Sequence, residues 1–279
     1  MKLLFILSLF TLAISTFAQS KPNNEFSIKI DNDAAFETDK YYSNGLELMY
    51  QRRLYSQGSL TKLRLGVAHK IYTPEATLST TVVDGDHPYT GLLYGILGFS
   101  HVNSNYYFRA DLWTGQQGPN AKAGILQNLF HKMLPSSQVN GWQNQTSNQY
   151  FYNGELKLIK INRGPIFELS PWLQGHYGGL KRDIEIGLKL GMRLGFLEFF
   201  ANGSAVANYF DAVLQGSKKV DSVYVIADED MEDIYYKADA GFNFFFSVMR
   251  ITLKANWHGP QFKGASDHTY ATLETSFYF

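Results

Sequence analysis

From residue 26 onward, apolar and polar positions alternate along the chain with a period of two. Asp183 to Leu194 reads DIEIGLKLGMRL, with Ile184, Ile186, Leu188, Leu190, Met192 and Leu194 on one face. Met249 to Trp257 reads MRITLKANW and sets Arg250, Thr252, Lys254 and Asn256 opposite its apolar positions. Alternation sustained in this way predicts strands whose two faces meet different surroundings. Lys and Arg recur on the polar faces too often for the packed core of a β-sandwich, so lipid on one side and a hydrated lumen on the other is the better fit. Twelve strands are predicted, at 26–33, 42–53, 61–72, 88–102, 104–115, 150–161, 165–177, 183–194, 196–210, 233–246, 249–258 and 269–279. Connections after strands 1, 3, 5, 7, 9 and 11 are generally longer, whereas 102–105, 162–164, 195 and 247–248 are tight. Short turns lie in the periplasm and long loops outside in outer-membrane barrels. The expectation is an all-β chain, a closed twelve-stranded antiparallel transmembrane β-barrel with both termini on the periplasmic side.

Composition sharpens this picture. Aromatic residues make up 15% of the chain and formal net charge is zero. The aromatics suit interfacial girdles, and the charge balance gives no steering field for nucleic acid, so no nucleic-acid partner is expected. A monomer in outer-membrane lipid is expected. The start, MKLLFILSLFTLAISTFAQS, has Lys2, an apolar run from Leu3 to Ile14 and the small residues Thr16 and Ala18. Residues 1–18 therefore read as a secretory signal peptide and 19–279 as the barrel, the apolar run being shorter than the about 20 residues of a membrane span. Without cysteine there is no disulfide framework. The last strand, TYATLETSFYF, stops on an aromatic residue, in which it resembles the ends of bacterial outer-membrane barrels.

Oxygen-bearing side chains crowd one hairpin rim. Strand 1 ends in Asp31-Asn32-Asp33, and Tyr42-Ser43-Asn44-Gly45 opens strand 2. Parity puts Asn32 with Phe26, Ile28 and Ile30, facing lipid, and Asp33 with Ser27, Lys29 and Asp31. The longest insertion, Gly115 to Gln149, lies outside by this topology and contains one short helix. Pro119 suits its first position; Leu126, Leu129, Phe130 and Met133 follow a helical spacing, and Pro135 with Ser136-Ser137 ends it. Gln127 and His131, four apart, share a face. His131 is a candidate general base, since imidazole titrates near neutral pH.

Taken in order, these residues resemble the outer-membrane lipid A 3′-O-deacylase family over nearly the whole mature chain. The resemblance rests on Asn32-Asp33, Thr38-Asp39, Tyr42-Ser43-Asn44-Gly45-Leu46, Ile71-Tyr72-Thr73-Pro74, Asp86-His87-Pro88-Tyr89, Gly118-Pro119, Gln127, His131, Gly141-Trp142 and Gln145. It implies a twelve-stranded barrel that removes a 3′-linked acyloxyacyl group from the lipid A of lipopolysaccharide, with a histidine activating water and Ca²⁺ steadying the oxyanion. Carried over, His131 is the base, Asp33 and Asn32 are the metal ligands, Asn32 also serves the oxyanion, and Ser43 supports the site. Asp33 suits a hard cation that takes oxygen ligands. The site is expected to straddle the wall, with the helix lying against strands 1 and 2. One departure is that Ser136-Ser137 stand where the family can carry an acid after the histidine.

Other residues are weaker candidates. Asp84 and Asp86 are possible substitutes for that acid. Asp267-His268 opens strand 12, beside strand 1 on barrel closure, and Asp228 to Asp233 (DEDMED) is an acidic run read as a solvated loop. Arg52-Arg53 falls at the periplasmic end, and His69 and His101 read as girdle or surface residues. Two rival functions stay open: a catalytically inactive barrel serving as scaffold or pore, and a phospholipase-type esterase with Ser43 as nucleophile.

Overall fold

A computed structural model describes residues 22–279 apart from Glu37, Asp39 and 134–138. The signal-peptide reading and Ser136-Ser137 lie outside the described residues. Twelve strands form one closed antiparallel barrel, each paired with its chain neighbour and β1 with β12. They are β1 (Asn24–Asn32), β2 (Tyr41–Ser56), β3 (Ser59–Thr73), β4 (Thr90–Val102), β5 (Tyr106–Gln117), β6 (Gln149–Lys160), β7 (Phe167–Gly178), β8 (Lys181–Leu194), β9 (Leu197–Asp211), β10 (Ile234–Phe245), β11 (Met249–His258) and β12 (His268–Tyr278). Among the described residues two α-helices interrupt them, α1 (Ala123–Met133) and the single turn α2 (Ala212–Gln215), besides short 3-10 turns.

The predicted strands recur with ends displaced by three residues at most. One connection differs in kind: only Gly179 and Leu180 separate β7 from β8, at the end where loops are otherwise long. Closure leaves no strand edge unpaired, which is what a bilayer demands of a sheet.

Alternation sorts the two faces as expected. Leu63, Leu65, Leu97, Ile186 and Leu190 stand exposed on the outside, where lipid would cover them. Inside, charges occur in pairs: Lys62 with Glu25 at 2.6 Å, Arg64 with Asp111 at 3.0 Å, Lys237 with Glu185 at 3.0 Å and Arg109 with Glu155. A charge withdrawn from bulk water is costly unless paired, so the lumen is an ionic lattice. It retains a polar cavity of about 430 Å³ lined by Lys29, Glu47, Arg64 and Asp111.

The outer end of the lumen is filled. α2 reaches from β9 across the mouth: the Gln117 side-chain amide donates to Ala212 O at 2.6 Å and the Thr90 hydroxyl to Val213 O at 2.9 Å. Its Val213 packs with Leu92, Tyr94, Phe151, Leu180 and Phe210 as one apolar cluster.

Candidate active site

The wall carrying the candidate residues departs from regular alternation at one place. The register of β2 on β3 slips between Tyr42 and Asn44, a bulge centred on Ser43. Just before it, Tyr41 adopts the left-handed conformation, with φ of 55°. A bulge re-aims side chains, and strained backbone clusters at functional sites. The slip turns Tyr42 into the lumen, where its hydroxyl donates to Asp31 at 2.8 Å and its ring meets Tyr72 and Tyr270. Ser43 thereby falls on the outer side with Thr73, their hydroxyls 2.6 Å apart.

Asn32 ends β1 opposite Asn44 of β2 and Ala271 of β12. Asp31 points inward to Thr272 at 2.7 Å and Tyr42, which leaves Asn32 outward with Ile28 and Ile30. Asn32 and Asp33 close on one acceptor. The Asn32 side-chain amide and the Asp33 backbone N–H both donate to Ser43 O, each at 3.3 Å. Asn32 Oδ1 accepts from Ala34 N at 2.9 Å, an Asx turn that bends the chain off the strand. Past that bend Asp33 no longer follows the lumen face. It is 2% exposed, and its Oδ2 accepts from Lys40 N at 3.0 Å and Thr38 Oγ1 at 3.3 Å. Asn32, Asp33 and Ser43 are thus one hydrogen-bonded knot on the rim.

His131 comes from a different element. It sits half-buried in the last turn of α1, one turn beyond Gln127, which is 4% exposed and accepts from the Trp142 indole at 3.0 Å. The shared face expected for Gln127 and His131 is the inner one, while Ile125, Leu129 and Phe130 are exposed. The partner strands of α1 differ from the expectation. The helix lies on the outer surface of β3 and β4, not on β1 and β2. The reason is the surface available. Ile71 and Tyr89 form an apolar patch with Ala123, Leu126, Val139 and Trp142, whereas the β1–β2 rim presents Asn32 and Asn44. Gly91 lets the helix approach closely: a Cβ there would stand 2.5 Å from the Ala123 Cβ. His69 adds a polar tie, its Nε2 donating to Ala121 O at 2.9 Å, so it is a loop anchor and not a girdle residue.

The secondary candidates resolve into structural roles. Asp86 receives Glu75 N, Ala76 N and His87 N at 2.7–3.0 Å, so it organises its own loop, and Asp84 is exposed. His87 is buried and stacked against Tyr72; loss of hydration pushes its pKa down to about 4. The acidic run 228–233 is fastened, with Gln215 donating to Asp228, Lys263 to Glu229 O, and Met231 bridged to Phe262. His268, beside β1 as closure requires, donates to Tyr42 O at 3.1 Å. Arg53 stacks on Tyr55 and Tyr278. Thr73, Gly91 and the anchoring by His69 escaped the sequence reading. Thr73 lay within a noted motif, but nothing in the pattern showed that a bulge would face it.

Among solved structures, LpxR from Salmonella typhimurium matches with a TM-score of 0.78 at 19% identity, covering 91% of this chain and 100% of that one. The β-domain of the Bordetella autotransporter BrkA matches at 0.53 with 10% identity, covering 93% of this chain and 99% of its own. The TodX monoaromatic hydrocarbon channel matches at 0.51 with 10% identity, covering 95% and 92%. At such identities the likeness is one of fold. No curated protein matches the chain by sequence. The family model described as Outer membrane protein LpxR, however, matches residues 3–197. That span takes in the bulged hairpin, the loop helix and most of the wall around them; the chain is an outer-membrane protein and belongs to the Outer membrane protein LpxR family.

Proposed function

We propose that this protein is an ester hydrolase of the outer leaflet that removes the 3′-linked acyloxyacyl chain of lipid A, with lipopolysaccharide as substrate. One observation carries the reading: Asn32 and Ser43 stand on the lipid side of the wall, next to a strand pair roofed by an external helix. A lipid held in the membrane reaches that side without entering the barrel. The exposed side of α1 supports it, since a groove lined by Ile125, Leu129 and Trp142 is flanked by Lys122 and Lys132, an apolar bed with cationic ends suited to an acyl chain and phosphate.

In this mechanism His131 takes a proton from water, and the resulting hydroxide attacks the ester carbonyl. The proton then passes to the departing alkoxide, leaving a free carboxylic acid and a hydroxyl. An Asn amide has two N–H donors; Asn32 commits one to Ser43 O and offers the other to the developing oxyanion. α1 carries the base: His131 lies eight residues, about 12 Å along the helix, beyond Ala123, which packs over Gly91 of β4. Ser43, held by Thr73, keeps the knot in place.

The rim suits calcium in kind: Asp33 carboxylate, Asn32 Oδ1 and main-chain carbonyls are hard oxygen donors, although among the described residues no group of three or more His, Asp or Glu converges. Asp33 and Asn32 would hold the ion, which when bound would neutralise charge developing on the ester oxygen.

A serine-nucleophile phospholipase is less well supported. It needs a base on Ser43, and the hydroxyl instead meets Thr73, which is no base. A pore is disfavoured by the α2 turn across the mouth.

Mass spectrometry of lipid A from cells with and without the protein is the test. Loss of the mass of one acyloxyacyl chain, absent with His131→Ala, is expected. Unchanged lipid A spectra would overturn the reading.

A further inference from the structure

We propose that His258 and His268 form a site for a transition-metal ion of the Zn²⁺ or Cu²⁺ class at the outer mouth of the lumen. The two residues are direct partners across β11 and β12. By alternation with Asn256 and Tyr270 both face inward, away from the proposed lipid site. Their ring centroids are 5.4 Å apart with planes at 59°. Two imidazoles sharing a tetrahedral ion at metal–nitrogen distances of about 2.0–2.1 Å place their centroids roughly 5 Å apart, so the observed spacing needs little movement.

Backbone contacts set the tautomers. A carbonyl oxygen can only accept, so His268 Nε2, 3.1 Å from Tyr42 O, carries its proton there. The other ring nitrogen, Nδ1, is left with a lone pair; it is buried and has no hydrogen-bond partner, in a residue only 2% exposed. His258 is the mirror case. Its Nδ1 donates to Gly259 O at 2.9 Å, which leaves Nε2 as the lone pair. Metal-bound histidines almost always hand the second N–H to a backbone carbonyl, carboxylate or water, and here both imidazoles already do so. A buried lone pair facing no donor is otherwise costly.

Ligand chemistry selects the ion. Imidazole nitrogens favour zinc, copper or nickel over Ca²⁺ and Mg²⁺, which take oxygen. Among the described residues no third His, Cys, Asp or Glu completes a cluster, so water fills the remaining positions. The nearby lysines do not oppose the ion strongly, because Lys237 is paired with Glu185 and Lys181 with Asp183, each at 3.0 Å, and Lys40 with Glu75 at 3.4 Å. Through the Tyr42 carbonyl, His268 also touches the residue before Ser43, so a bound ion would brace the bulge from the lumen side.

The test uses untagged, chelator-treated protein in detergent, titrated with Zn²⁺ by calorimetry and with Cu²⁺ by electron paramagnetic resonance. One saturable ion per chain is expected, with coupling to two nitrogens. His258→Gln and His268→Gln should each weaken binding by tenfold or more, while His87→Gln, His101→Gln and His131→Ala leave it unchanged. Heat-modifiable migration on gels reports folding. If His268→Gln does not fold, the Cu²⁺ spectrum of the parent protein and of His258→Gln decides. Absence of saturable binding, a spectrum without nitrogen coupling, or equal affinity in the folded His258→Gln protein would overturn the assignment.

Discussion

Replacing Gly91 by alanine adds one methyl group to β4 and tests whether docking of α1 controls activity. That methyl would stand 2.5 Å from the Ala123 Cβ and 3.3 Å from the Ala121 Cβ, whereas carbon atoms pack at about 3.5–4.0 Å. The wall cannot yield, because β4 is bonded on both sides, to β3 and to β5. The helix must therefore lift by about 1 Å. Overpacking of this kind typically costs about 1–3 kcal/mol, and a 1 Å displacement of a catalytic group can cost about 10²-fold in rate. With His131 carried by α1, lipid A hydrolysis should fall about 10–100-fold. Removing the facing methyl relieves the clash, so Gly91→Ala with Ala123→Gly should recover most of the activity, less a helix cost of about 1 kcal/mol. Acyl release from purified lipopolysaccharide in detergent supplies the rate, and heat-modifiable migration confirms an intact barrel. A Gly91→Ala protein with unreduced activity, or a double variant no better than the single one, would refute the role of helix docking.

Three further outcomes are expected. His131→Ala should lower hydrolysis by about 10²–10⁴-fold without rescue by excess Ca²⁺, whereas Asp33→Asn should recover part of its activity as Ca²⁺ is raised; identical calcium responses would collapse the division between base and ligand. Ser43→Thr should retain activity and Ser43→Gly should lose it, measured in the same assay, because a supporting hydroxyl can be replaced and a missing one cannot. His87, with its folded pKa pushed below the ordinary 6.5 to about 4, binds fewer protons folded than unfolded. Its contribution, about 3 kcal/mol in all, is present above pH 6.5 and lost as pH falls towards about 4. Protection of the 74–89 loop from proteolysis should decline over that window, and His87→Phe should flatten the decline.

Strand number, order and faces were legible in the sequence because a side chain on a strand alternates with a period of two, whatever the rest of the chain does. So were the even count and the alternation of long and short connections. The parity of strand 1 set Asn32 outward and Asp31 inward, as the structure has them. For Ser43 and Tyr42 the same rule failed. Continued inward from Met49, it would turn Ser43 into the lumen, and one extra residue in the ladder reverses that. A bulge is a property of two strands in register, so neither sequence alone displays it. A helix over 119–134 was legible in the spacing; the α-helix itself runs over Ala123–Met133, after a separate 3-10 turn at Pro119–Ala121, and its resting place depended on Gly91, Ile71 and His69, which belong to other strands. The α2 turn across the mouth and the meeting of His258 with His268 likewise needed closure of the barrel. Local periodicity is written into each segment by backbone geometry. Contacts between segments arise only when twelve strands fix their registers together, and the outward-facing site is decided at that level.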